Sequence, residues 1–291
     1  MLEFEFMRRT LMAGMMFAIA LPLIGIVMIN RKTSMVSDAL SHVSLTGVGL
    51  GLIFGFDPVW GAVASCVVAG FSIEAVRTRL PQFGDMAVAI IMSAGLGLAV
   101  ILADLAPGGN TFESYLFGSI SSVTSADLVG TAAATLFTVA LSVVLYAGLS
   151  DIAIDRTLVR IAGVDARVVD GLFTALSAIM IGLACKVVGA LLVVSLVTLP
   201  VATALILCRS YRQTCIVAVL LGIVYTMSGL VFSYQYDVRP GGSIVMAAIV
   251  GILAFLAIKQ IRKRMKSTRT KNTDTASMEG IIPSSAEEAQ I

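Results

Sequence analysis

Apolar runs of about twenty residues recur along this chain, and no other feature restricts its fold as strongly. They lie at roughly 11–30, 35–56, 58–76, 86–106, 126–149, 169–185, 187–208, 213–233 and 242–258. A helix of that length rises about 30 Å, the thickness of the hydrocarbon core of a bilayer. Charged residues make up 13% of the sequence, about half the usual share of a soluble globular domain. The short alternating segments of a membrane β-barrel are not seen. The fold class read from the sequence is therefore all-α: a polytopic transmembrane helical bundle of eight to nine spans. The count turns on Lys186, which alone separates the sixth run from the seventh.

The basic residues orient the bundle. Lys259, Arg262, Lys263, Arg264, Lys266, Arg269 and Lys271 follow the last run, as on a cytoplasmic flank. Counting back through nine spans leaves only Arg8, Arg9, Lys186 and Arg239 outside. Arg8 and Arg9 speak for an N-terminus on the inside, which an eight-span count would satisfy. The opening MLEFEFMRRT is amphipathic and no A-x-A-like site follows it, so the first span is expected to be retained. Residues 1–262 read as one membrane domain. Residues 263–291, rich in Ser, Thr, Asn, Glu and Lys, read as a polar cytoplasmic tail that cannot bury a core and is expected to be disordered. The Gly/Ser-rich stretch 107–125 is too long for a tight turn and has room for a short helix.

Several residue types have plain readings. Cys66, Cys185, Cys208 and Cys215 form no CxxC pair and read as small packing residues. Glycines within the spans allow close helix approach. Glu74 and Arg77 read as a surface pair, while Glu113 and Asp104 fall near the outer side. The basic residues sit in short loops and in the tail, so no nucleic-acid partner is expected.

The stretch SDALSHVSLTGVGLG holds the feature that these readings do not absorb. Asp38 and His42, the chain's only histidine, stand four residues apart at the start of an apolar run. On a helix they share one face. Ionisable groups in a span are costly and face a cavity or a partner. A carboxylate and an imidazole suit Zn²⁺ or Mn²⁺, although two ligands make only half a site. The alternative is that the two satisfy each other near a helix start, with Ser37 or Asp38 as its cap.

Longer stretches carry a resemblance. SMVSDALSHVSLTGVGLGLIFG resembles the signature region of the permease subunits of zinc- and manganese-importing ABC transporters, the ABC-3 family. SDIAIDRTLVRIAGVD, KVVGALLVVSLVTLPVATA and SYQYDVRPGGSIV resemble further segments of that family, in the same order, over about residues 7–258. The resemblance implies a transport subunit in a bacterial plasma or inner membrane that performs no covalent chemistry and holds no cofactor. It implies Asp38 and His42 as transient ligands of a transported divalent metal ion. Asp237, beside Tyr234, Tyr236 and Arg239, is a third candidate, with a salt bridge to Arg239 as its alternative. FESYLFGSISSV looks more like the zinc branch, so zinc is favoured as cargo, with manganese or iron next.

Uphill import needs a drive, and the chain has no G-x-x-x-x-G-K-[ST] loop to cradle ATP. The resemblance implies separate cytoplasmic ABC ATPase subunits, an extracytoplasmic metal-binding protein, and a symmetric homodimer in membrane lipid. DIAIDRTLVRIAGVD, on the cytoplasmic side by the charge count, alternates charged and apolar residues. It is the expected handle for the ATPase: Leu158, Val159 and Ile161 for apolar contacts, Asp155, Arg156 and Arg160 for polar ones, Gly163 to end the helix. A secondary transporter relaying protons through Asp38, His42 and Asp104 is the competing reading. An intramembrane metallohydrolase needs more than one histidine.

Overall fold

Each apolar run is a helix, because a backbone inside a bilayer can satisfy its N–H and C=O groups only within itself. The structure, a computed structural model, describes residues 5–106, 109–119, 123–144, 166–208 and 210–279. Its helices are α1 (Glu5–Asn30), α2 (Ser34–Phe54), α3 (Pro58–Arg79), α4 (Gly84–Leu105), α5 (Gly109–Phe117), α6 (Ser125–Val144), α7 (Ala166–Ala184), α8 (Ala190–Leu207), α9 (Tyr211–Tyr236) and α10 (Pro240–Glu279). A π-helical turn, Cys185–Gly189, joins α7 to α8. No strand occurs among the described residues. The short helix expected within 107–125 is α5.

The ends of these helices have local causes. α2 closes on Gly55, whose φ of 75° is left-handed and whose N–H reaches the Gly51 carbonyl. Two residues later Asp57 caps α3, its carboxylate accepting from the Val59 N–H at 3.0 Å, with Pro58 in the first turn. Pro22 and Pro200 sit inside α1 and α8, as membrane helices tolerate.

Eight helical stretches among the described residues are long and apolar enough to cross a membrane, and one of them, Asp170–Leu207, has 38 residues. At 1.5 Å per residue it would extend about 57 Å, nearly twice a bilayer core. It doubles back instead. Asp170 at its start pairs with Arg31, just beyond the end of α1. Val201 and Ala204 near its end pack with Ile26 of α1 and Ala218. Lys186 at its middle reaches Asp127 at the start of α6 (2.7 Å), and the Lys186 carbonyl accepts from the Ser119 N–H. The reversal uses Gly189 at φ 96°, where a Cβ would collide with the backbone of Phe117 and Gly118. α7 and α8 are thus separate passes, and each of the nine runs read from the sequence is a helix of its own.

The chain divides into two units, Met1–Ile249 and Val250–Ile291. In the first, α2 is the innermost helix, packed against α3, α4, α7 and α8. Gly47 and Gly61 face each other where α2 meets α3, and a Cβ on either would strike the other's backbone. Ser65 and Cys66 of α3 donate to the carbonyls of Val43 and Leu40, and Thr46 donates to the Gly95 carbonyl of α4 at 2.7 Å. These bonds tie helices that have no hydrophobic drive to associate in lipid. The second unit is the rest of α10, helical to Glu279. The helix continues across 262, where composition divides domain from tail, and residues 280–291 lie outside the described ones.

Two outcomes follow from this packing. Gly47→Ala should cost about 1–3 kcal/mol by overpacking, whereas Gly97→Ala, whose methyl would meet nothing within 4 Å, should leave the melting temperature in detergent unchanged or raised. Lys186 and Asp127 are 11% and 12% exposed, and Asp127 also accepts from the Thr124 N–H and hydroxyl. Lys186→Met should therefore destabilise by about 3–5 kcal/mol, with much of the loss recovered in the Lys186→Met/Asp127→Asn double variant. Thermal unfolding of the four proteins checks this.

Candidate functional site

α2 begins at Ser34, so Asp38 lies in its second turn and does not cap it. Thr33 occupies the cap position, but its hydroxyl donates to the Met28 carbonyl in α1 rather than to α2. The inner face of this part of α2 is small and polar. Ser37, Ser41 and Ser44 are buried, each donating to the carbonyl three residues back, at 2.6–2.8 Å. These hydroxyls satisfy themselves on their own helix and leave neighbours free to pack closely.

Asp38 and His42 share another face. The His42 side chain is 18% exposed and that of Asp38 39%, with Nε2 and Oδ1 3.6 Å apart. That separation is beyond a hydrogen bond. Two ligands held about 2.1 Å from one ion at the tetrahedral angle stand about 3.4 Å apart, so the pair needs little adjustment to share a cation. Nδ1 of His42 is buried and meets no hydrogen-bond partner among the described residues. Neither tautomer is therefore imposed on the ring, and Nε2 can present its lone pair. At 3.6 Å the two groups stand within ion-pair range of each other. No group of three or more His, Cys, Asp or Glu able to hold a metal occurs among the described residues, so Asp38 and His42 offer half a coordination shell.

Asp237 does not join them. It ends α9 with a left-handed backbone, φ 52°, and its side chain is exposed. It lies at the end of the bundle marked by Lys186, since Gly241 packs on the Val188 carbonyl and Arg239 reaches α5. Asp38 lies near the opposite end, marked by Arg31. Arg239 does not pair with Asp237 as its alternative reading supposed. It binds Glu113 at 2.9 Å and stacks over Phe117 at 4.6 Å. Asp104 is exposed near the end of α4. Asp155, Arg156, Leu158, Val159, Arg160, Ile161 and Gly163 lie outside the described residues.

Sequence reasoning missed two largely buried ion pairs, Arg31–Asp170 and Lys186–Asp127, the first with side chains 10% and 15% exposed. Each of the four stands at the end of an apolar run, which is the only signal the sequence holds. Nothing periodic links partners so far apart along the chain.

Comparison with known proteins places this arrangement. The profile of the ABC 3 transport family matches residues 3–259. A Treponema pallidum protein named "Probable metal transport system membrane protein" is 33% identical over 90% of this chain and 98% of its own. A Listeria innocua "Manganese transport system membrane protein MntC" is 27% identical over 88% of this chain and 92% of its own. Among solved structures, PsaBC from Streptococcus pneumoniae in complex with Fab superposes with a TM-score of 0.78, at 26% identity, over 87% of this chain and 91% of that one. The chain belongs to the ABC 3 transport family.

Proposed function

We propose that this chain is the permease subunit of an ATP-driven importer of divalent transition-metal ions, with Asp38 and His42 as transient ligands along the path. The observation that carries this reading is their geometry: one carboxylate and the chain's one imidazole, 3.6 Å apart, partly exposed and low in coordination number. A path must bind weakly enough to release its ion, and half a shell meets that need. Water, or the same pair from a second copy across a two-fold axis, completes it. The drive comes from cytoplasmic ABC ATPase subunits gripped by the 151–165 segment, and the ion from an extracytoplasmic binding protein. Asp237, at the other end, is at most a point of entry.

Manganese is the first cargo proposed and zinc the second. The name of the Listeria innocua relative, a manganese transport system membrane protein, weighs more than the short FESYLFGSISSV likeness that favoured zinc. A mixed oxygen and nitrogen pair without thiolate accepts both ions.

His42→Ala and Asp38→Ala should each lower ATP-dependent Mn²⁺ uptake into proteoliposomes at least tenfold while leaving assembly with the ATPase intact. Normal uptake by both variants defeats the site assignment. Uptake without ATP or an ATPase subunit favours a secondary transporter instead. Competition by Zn²⁺ and Fe²⁺ against labelled Mn²⁺ ranks the cargo.

A further inference from the structure

The Arg31 end of the bundle carries a device that the ligand pair does not explain. α1 and α2 are joined by three residues, Arg31, Lys32 and Thr33. The join is bonded to the last turn of α1: the Arg31 N–H donates to the Val27 carbonyl, the Lys32 N–H to Ile29, and both the N–H and the hydroxyl of Thr33 to Met28. Lys32 holds a left-handed φ of 55° within it. Such a join has little slack. Asp38 lies four residues into α2 from Ser34, about 6 Å of helix rise beyond the join. On the other side, Asp170 lies in the second turn of α7, five residues beyond the 151–165 segment.

We propose that the Arg31–Asp170 ion pair transmits movement of α7 to α2 and so to Asp38 and His42. The proposal rests on the permease reading above and deepens it. Arg31 and Asp170 are positioning residues that touch no metal. Replacing a buried ion pair with apolar side chains is often neutral or stabilising, and buried charges are best attested as devices of register and switching. The surroundings suit movement. A cavity of about 20 Å³ beside Arg31, room for one water, is lined by Thr33, Glu74, Arg77 and Ser177 and by apolar side chains that include Ile73 and Phe173. Glu74, in the same lining, offers the guanidinium a second acid. A push on α7 then reaches α2 through a charged contact and a taut three-residue join.

The test reconstitutes the complete transporter, this chain co-purified with its ATPase, and measures Mn²⁺ uptake and ATP hydrolysis together. Arg31→Gln and Asp170→Asn should each lower the Mn²⁺ taken up per ATP hydrolysed at least tenfold, with hydrolysis within twofold of wild type. The swapped double variant, Arg31→Asp/Asp170→Arg, should return that ratio to within threefold. A merely structural role lowers both readings in proportion and leaves the ratio unchanged. If the single variants do not assemble, the swap decides alone. Single variants with the wild-type ratio overturn the proposal, as does a swap that assembles but stays uncoupled. Failure of all three to assemble also overturns it, since the pair is then a requirement of folding only. A wild-type complex that shows no ATP-driven Mn²⁺ uptake defeats the permease reading itself, before any variant is made.

Discussion

Lipid offers the backbone no hydrogen bond, and the rest of this structure depends on that constraint. It makes every apolar run a helix. It also removes the hydrophobic drive that would pack those helices together, because lipid tails are as apolar as leucine. Association then falls to close contact and polar ties. The innermost helix, α2, has both. Gly47 and Gly61 let α2 and α3 touch through their backbones, and Thr46, Ser65 and Cys66 bond across to neighbouring carbonyls. Serines every turn or so on α2 keep its inner face small and self-satisfied.

Charge in this multi-pass membrane protein is concentrated where helices end. α7 carries a paired ion near each end, Asp170 with Arg31 and, just past its last turn, Lys186 with Asp127. The two ties hold the same helix to different partners, the α1–α2 join at one end and the start of α6 at the other. At the Lys186 end a π turn and Gly189 reverse the chain under α5, whose Phe112 and Tyr115 are buried in the core. Glu113, Arg239 and Phe117 close the rim. This end is densely cross-bonded, whereas Asp38 and His42 lie nearer the other one.

Asp38 and His42 escape the rule that charges stay at helix ends, since they lie within α2 and keep partial exposure there. In the proposed path, so few ligands suit an ion that must leave again. The chain belongs to the ABC 3 transport family, and its sequence has no G-x-x-x-x-G-K-[ST] loop to cradle ATP.

Much of this was legible in the residues alone. The nine runs, their approximate ends and the short helix within 107–125 follow from hydropathy and length, which act locally. So does the shared face of Asp38 and His42, because a spacing of four on a helix needs no tertiary information. Asp237 shows the limit, since a residue's place in the sequence does not say which end of the bundle it shares with another. The fold-back after Lys186 was visible as a break, yet its cause, the left-handed Gly189 pressed on Gly118, was not. Arg239 found Glu113 rather than its neighbour Asp237, and Arg31 found Asp170, by contacts between distant helices. Sequence by itself determined which segments cross the membrane and which two groups share a face, because hydropathy and helical period are local properties. Only the tertiary structure decided which charges meet and which residues stand at the same end, because in a bilayer those outcomes depend on how whole helices dock.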